Sequence, residues 1–158
     1  MAEMTNPMDS LRLLQQAINV RSVSFQNCES YPEVSVLYDT PNDTARFTYA
    51  LFNGDIAQSI ALFVLTEPVE GIPCFQMGWA TIENERGKGL ATNIVSKGLE
   101  ELKNGMKRNG ISKFFIEAVI SESNSESVKL ASKVFTEKPS SCTDSFSGDN
   151  ALQFLQVA

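Results

Sequence analysis

Arg86-Gly87-Lys88-Gly89-Leu90-Ala91 joins a β-like run, residues 74–82, to a helical one. On the helical side Leu90, Ile94, Val95, Leu99, Leu102 and Met106 recur at the spacing of one helix face. Strand, short glycine loop and helix together aim backbone N–H groups and the positive end of a helix dipole at one point. Such a point suits an anion, phosphate above all. Gly87 and Gly89 carry no Cβ, which permits unusual dihedrals and close backbone approach to a ligand. Arg86 and Lys88 add positive charge. Two common phosphate loops are excluded. The P-loop reads Gly-x-x-x-x-Gly-Lys-Ser/Thr, whereas here one residue separates the glycines and Gly89 follows Lys88. The dinucleotide fingerprint needs three glycines opening a βαβ unit, but Ala91 holds the third position and a long β-rich region comes first.

Upstream, Val34, Val36 and Tyr38 alternate as in a strand, and Pro41-Asn42-Asp43 reads as a turn. Residues 45–52 and 56–65 are apolar runs joined through Asn53-Gly54-Asp55, a hairpin signal. Glu67-Pro68-Val69-Glu70-Gly71 reads as the next turn, so three consecutive antiparallel strands feed the glycine loop. Before them, Asn6-Pro7-Met8-Asp9 is a helix start with a capping side chain, proline in the first turn and an acid behind it. Leu11, Leu14, Ala17 and Ile18 carry that helix to about Asn19. Residues 21–32 show little periodicity and fit a loop or an irregular second helix.

Downstream, the helix after the loop ends near Lys107-Arg108-Asn109-Gly110, with cations in its last turn and glycine beyond. Gly98 and Gly105 weaken it by ~1 kcal/mol each against alanine. Residues 111–120 read as a buried strand with one conspicuous charge, Glu117. Ser121-Glu122-Ser123-Asn124 is a turn and helix cap. Val128, Leu130, Ala131, Val134 and Phe135 give the next helix its apolar side, up to Pro139. Residues 142–146 and 151–157 read as a last hairpin. The predicted class is α+β in a single domain over residues 1–158, a mixed, mostly antiparallel sheet flanked by helices.

The bulk composition narrows the chemistry. At 158 residues and 42% hydrophobic, the chain has enough length for a core of its own. No apolar run approaches the ~18 residues of a membrane span. The first residues lack a basic region followed by an apolar stretch, so no secretory signal is expected. Cys28, Cys74 and Cys142 are odd in number and far apart, which fits reduced thiols in a cytoplasmic protein. There is no histidine, which removes imidazole bases, histidine triads and histidine–metal sites; no metal is expected. Thirteen basic and 19 acidic residues give a net charge of −6, which disfavours nucleic acid as a partner.

The glycine stretch also resembles the acetyl-CoA signature Arg/Gln-x-x-Gly-x-Gly/Ala of the GNAT acetyltransferase superfamily, matched as Arg86-x-x-Gly89-x-Ala91. A second family motif, Asn-x-x-Ala-x-x-Leu-Tyr-x-Lys-x-Gly-Phe, is partly matched from Asn124 to Phe135. With the element order, the resemblance covers roughly residue 45 to the C-terminus. It implies a GNAT-like fold and an N-acetyltransferase that takes acetyl-CoA as co-substrate and a primary amine of a small molecule or peptide as acceptor. It places the coenzyme's pyrophosphate on the amides of Gly87, Lys88, Gly89, Leu90, Ala91 and Thr92. The pantetheine arm would pair with the strand at Trp79, Ala80 and Thr81, and Asn124 would touch the coenzyme. For the Trp79 side chain ordinary packing is the stronger reading, and Asn124 reads equally as a plain helix cap. The same resemblance would put substrate selection in residues 21–32. A homodimer is admitted, not required.

Direct transfer needs a base, because an ammonium has no lone pair until it loses a proton. A backbone N–H on the Trp79–Ala80–Thr81 strand could stabilise the negative charge that develops on the attacked carbonyl. With no histidine, the base is a carboxylate acting directly or through water. Glu117, inside an apolar strand, is the candidate, since desolvation favours a proton-accepting carboxylate. Its match to the strand carboxylate of some relatives is loose. Glu83 and Glu85, at the end of the central strand, are the rivals and read also as solvated turn residues. The tyrosine acid frequent in the family falls at Ala131, and the closing Gly-Phe is reduced to Val134-Phe135. Water, Ser132, Tyr31, Tyr38 or Tyr49 would then supply that proton, or none is needed, as a thiolate leaves with a pKa near ~8.5. The missing tyrosine also motivates a rival reading of the whole: a non-catalytic acyl-CoA-binding regulatory or interaction module. A plainer one is a structural α+β domain whose glycine loop is only a turn.

Overall fold

The computed structural model describes residues 6–144 and 147–158. The opening stretch read for a leader, residues 1–5, and residues 145–146 of the expected last hairpin lie outside the described residues. The elements run α1 (Pro7–Asn19), β1 (Gln26–Asn27), β2 (Ser35–Asp39), β3 (Arg46–Asn53), β4 (Ile56–Val69), β5 (Ile72–Thr81), α2 (Leu90–Arg108), β6 (Phe115–Ser121), α3 (Ser125–Val134), β7 (Ser140–Thr143) and β8 (Asn150–Val157). One eight-stranded sheet has the order β1-β2-β3-β4-β5-β6-β8-β7, mostly antiparallel, with β5 and β6 parallel. This is the expected α+β class. No helix among the described residues is long and apolar enough to cross a membrane.

The described chain divides into two units. The first comprises Asn6–Val64 and Gly78–Ser112. Here Asn6 caps α1 by accepting the Asp9 N–H at 3.4 Å, with Pro7 in the first turn. Met8, Leu11, Leu14 and Ile18 of α1 then pack on Ala50, Ile60, Leu62 and Ala80. Tyr49, one residue before Ala50, faces the other way. Its ring meets Phe63 edge-on at 5.8 Å and lies against Gly98 of α2. Helices α1 and α2 therefore cover opposite faces of β3 and β4. A Cβ on Gly98 would stand 3.2 Å from Tyr49 Cβ and Cγ, so this glycine is a contact requirement and not only a weak point of the helix. Gly54 turns the β3–β4 hairpin with φ +59°.

Helix α2 ends in two reversed bonds, Gly110 N–H to Lys107 O at 3.0 Å and Ile111 N–H to Met106 O at 2.9 Å. That pair is the Schellman arrangement. It employs Ile111 in the helix cap, which is why β6 begins at Phe115 and not at 111. Residues 21–32 contain the short strand β1 and no helix. From Glu29 to Glu33 this segment lies along α2, where Glu101, only 5% exposed, accepts the Tyr31 N–H at 2.8 Å.

The second unit comprises Leu65–Met77 and Lys113–Ala158. Its part of β4 corrects the expected turn at 67–71: the strand runs to Val69, and the turn is Glu70 and Gly71, both at positive φ. Proline is tolerated within this strand because the β3–β4 register ends at Arg46 and Val64. Pro68 therefore lies on a stretch flanked by β5 alone. β6 pairs with β8 from Phe115↔Val157 to Ser121↔Ala151. Phe135 packs on Phe154 at 5.4 Å and Phe75 on Phe114 at 5.7 Å.

Helix α3 ends at Val134, well before Pro139. The cause is a side chain from another element. The Gln156 carboxamide donates to Val134 O at 3.2 Å and accepts the Thr136 N–H at 2.7 Å, which satisfies the helix end there. The last hairpin pairs β7 from Ser140, two residues earlier than expected, with β8.

Candidate functional site

The first unit contains the glycine loop and the strand end that leads into it. At the end of β5, Ser59 donates to Ala80 O at 3.2 Å. Its single proton being used there, the 2.8 Å contact with Thr81 Oγ1 requires Thr81 to be the donor. Ile82 N–H then bonds Gln58 O at 2.9 Å. β5 is thereby anchored on its β4 side up to the first residue of the loop. Trp79 is half-buried, Ala80 and Thr81 buried.

A 3-10 turn, Glu83–Glu85, follows, and Arg86 closes it by donating its N–H to Glu83 O at 3.3 Å. The Arg86 side chain reaches back: Nε donates to Thr81 O at 3.1 Å and Nη2 lies 3.5 Å from Met8 Sδ. Arg86 is thus a brace between strand and loop as well as a charge. Lys88 Nζ sits 2.8 Å from Glu85 Oε2, so its charge is partly answered within the loop.

Gly87 and Gly89 hold φ of +80° and +77°, the left-handed region where a side chain is strained. Gly89 is the N-cap of α2 and has no side chain to cap with. The first intrahelical bond is Asn93 N–H to Gly89 O at 3.1 Å. The N–H groups of Leu90, Ala91 and Thr92 therefore precede the helical ladder. Residues 87–89 are exposed, and a Cβ built on Gly87 or Gly89 meets nothing within 4 Å. The loop offers several amides to solvent at the positive end of a helix of 19 residues. Its donor set suits a polyanion such as a diphosphate.

Glu83, on the same loop, is exposed. The other two expected site residues, Glu117 and Asn124, belong to the second unit. Glu117 does not stand alone in an apolar strand. It pairs in register with Gln76 of β5, whose Nε2 lies 3.5 Å from Oε1, and Gln153 of β8 donates to Oε2 at 2.6 Å. Asn124 caps α3, its Oδ1 accepting the Ser127 N–H at 3.2 Å. β5 pairs with β6 over Cys74, Phe75 and Gln76 and runs on to Thr81 past the last of these pairs.

The sources of a proton for a leaving group also differ from one another. Ala131 is fully buried and has nothing to donate. Ser132 spends its hydroxyl on Val128 O at 2.8 Å. Burial, then the charges of Cys28 and Glu101, push the Tyr49 phenol far up. Tyr31 lies under Lys97 Nζ at 5.4 Å, and Tyr38 is exposed against Phe47. Among the residues not anticipated, Ser59, Met8, Gln76 and Gln153 carry contacts that depend on strand register or on packing, and no local motif marks them.

No family model matches the sequence, and no curated protein matches it either. Solved structures do match the fold. A GNAT-family acetyltransferase from Streptococcus pneumoniae aligns over 100% of this chain and 99% of its own, with a TM-score of 0.54 and 9% identity. A ribosomal-protein-alanine N-acetyltransferase from Brucella melitensis aligns over 74% of this chain and 70% of its own, at 0.53 and 14%. An acetyl transferase from Salmonella typhimurium that modifies the N-terminal serine of a 50S ribosomal subunit protein aligns over 72% of this chain, at 0.51 and 18%. The match spans 64% of that enzyme's length. The fold is that of GNAT acetyltransferases.

Proposed function

We propose that the protein is an N-acetyltransferase that moves an acetyl group from acetyl-CoA directly to a primary amine of a small molecule or peptide, in the cytoplasm and without a metal. The observation that carries this reading is the uncapped start of α2 behind two left-handed glycines. Acetyl-CoA supplies an activated thioester and a diphosphate handle. The amides of residues 87–92 would hold the diphosphate, with Arg86 bracing the loop. The backbone of β5 at Trp79, Ala80 and Thr81 would pair with the pantetheine as with an added strand. Asn124, with its Oδ1 already in the cap, would offer its amide group. The similar solved structures, one named as modifying an N-terminal serine and one as a ribosomal-protein-alanine N-acetyltransferase, are in keeping with an amine acceptor.

Glu117 takes the amine's proton in this proposal, and Glu83 is its rival. Glu117 is half-buried and held by neutral donors, while Glu85 is tied to Lys88 and Glu83 is solvated. Direct transfer is favoured over an acyl-cysteine. Burial, with the Glu101 and Glu33 charges behind it, pushes the Cys28 thiol up to about 12. Burial and Glu117 push Cys74 up to about 11. Cys142 is raised too, by burial and then by Asp144. Thiols kept protonated at neutral pH are poor nucleophiles. With alanine at position 131, the leaving thiolate takes its proton from water.

Isothermal titration with coenzyme A tests the loop. Binding is expected, and Gly89→Val, folded by circular dichroism, should lose it at least tenfold, since branched side chains resist the φ of +77° and project over the amides. Absence of binding to the wild-type chain at millimolar ligand overturns the proposal. Fully buried Ala131 favours one other reading, an acyl-CoA-binding module without catalysis. Free thiol release from acetyl-CoA with an amine panel separates the two.

A further inference from the structure

We infer that Gln153 is a positioning residue for Glu117, fixing the carboxylate oxygen that faces away from the reacting amine. The inference rests on Glu117 being the base of the proposed transfer. Its geometry belongs wholly to the second unit. In the β6–β8 ladder Glu117 opposes Leu155 and Val119 opposes Gln153, so residues 117, 119, 153 and 155 share one face of the sheet. Gln76 joins that face through its pairing with Glu117, and Ser140 through its pairing with Gln153. Gln76, Glu117, Gln153 and Ser140 therefore form a diagonal polar track across four strands, in which Glu117 is the one charged member.

The two carboxylate oxygens are not equivalent. Oε2 receives a short bond from Gln153 Nε2 at 2.6 Å, whereas among the described residues Oε1 has only the Gln76 amide at 3.5 Å, the outer limit of a hydrogen bond. Among the described residues no lysine or arginine forms an ion pair with Glu117. A neutral carboxamide orients a carboxylate without cancelling its charge, which a cation in the same place would do. Gln153 fixes the carboxyl plane and leaves Oε1 as the weakly held oxygen. The proton then passes from the ammonium N–H to Oε1. The N–H bond breaks, its electron pair stays on nitrogen as the attacking lone pair, and Gln153 remains on Oε2 throughout.

The test is a double-mutant cycle on the full-length chain with acetyl-CoA and an amine panel, using Gln153→Met and Glu117→Gln. Methionine keeps the length of the side chain and removes its donor. If Gln153 acts through Glu117, Gln153→Met lowers kcat roughly tenfold with KM for acetyl-CoA unchanged. Glu117→Gln lowers kcat roughly a hundredfold or more, and the double variant is no slower than Glu117→Gln alone. Independently of folding of the methionine variant, the Gln153 side-chain amide resonances of the wild type should move when Glu117 is replaced. Multiplying losses, full turnover by Gln153→Met, or unmoved amide resonances overturn the role of Gln153 alone. Wild-type turnover by Glu117→Gln removes Glu117 as the base and this inference with it. No turnover by the wild type with any amine overturns both.

Discussion

Two glycines of one helix show how far a residue's meaning depends on its neighbour. Gly98 and Gly105 both weaken α2 intrinsically, and by sequence they are equivalent. In the fold they are not. A Cβ at Gly105 meets only Arg108 Nη2 at 3.7 Å, the mobile end of a long side chain. A Cβ at Gly98 is pressed to 3.2 Å from the Tyr49 Cβ and Cγ, and the Tyr49 ring is itself backed by Phe63. Gly105→Ala should therefore stabilise the protein by about 0.5–1 kcal/mol, the helix-propensity gain. Gly98→Ala gains the same propensity and loses it to overpacking, and Gly98→Val should destabilise by about 1–3 kcal/mol. Urea midpoints of the three variants check this. Equal stabilisation by both alanines would show that Tyr49 yields freely, and that the close approach of α2 to β3 does not depend on glycine.

At the scale of elements, α2 is both the bearer of the glycine loop and the mooring of the chain that precedes β2. Glu33 pairs with Lys97 at 2.9 Å, Tyr31 N–H with Glu101, Ser30 with Asn104 at 3.1 Å, and Glu29 with Arg108 at 3.0 Å. Positions 97, 101, 104 and 108 form one stripe of the helix, and the segment descends it residue by residue. The outer ion pairs are exposed and screened, so they add little. Glu101 is the buried member. Glu101→Ala leaves the Tyr31 N–H without its acceptor and should cost about 1–3 kcal/mol, with faster hydrogen exchange at Tyr31 and Val34. Glu101→Gln keeps an acceptor oxygen and should be markedly milder; equal losses would mean that charge, not the hydrogen bond, holds the segment. These links also mark what was legible in the sequence. Asn6-Pro7 before α1, Gly54 in the first hairpin and Gly110 after α2 act on their own neighbourhoods, and each element formed where they place it. The glycine loop was readable for the same reason. Tyr31 and Glu101 are 70 positions apart, and the Gln156 side chain that ends α3 acts 22 positions away on Val134. Gln153 reaches Glu117 only once the β6–β8 register is set. Partners of this kind have no local signature, and a strand charge read alone looks unpaired.

Across the whole molecule, each unit buries one thiol beside one carboxylate: Cys28 near Glu101 in the first, Cys74 near Glu117 in the second. Burial is the larger cause in both, and the carboxylate charge adds to it. The consequence is a shared alkaline weakness. An unfolded thiol ionises at its ordinary value of 9.0, whereas the native thiols hold their protons to about 12 and about 11. Between those values the unfolded chain binds fewer protons than the native one, so the derivative of unfolding free energy with pH is negative. The stabilisation is fully present below pH 9.0 and is lost as pH rises through about 11 and then about 12. The Tyr49 phenol, raised in the same direction by burial, steepens the decline at its upper end. Urea midpoints measured from neutral pH upward should therefore fall beyond pH 9.0 in the wild type. Cys28→Ala and Cys74→Ala should each flatten the decline, starting from a lower plateau because a buried sulfur is missing. A wild-type midpoint that holds steady through this range, or a slope that neither alanine reduces, would show that the thiols ionise without opening the core. In that case they could also serve as nucleophiles, and the preference for direct transfer to the amine would lose its electrostatic basis.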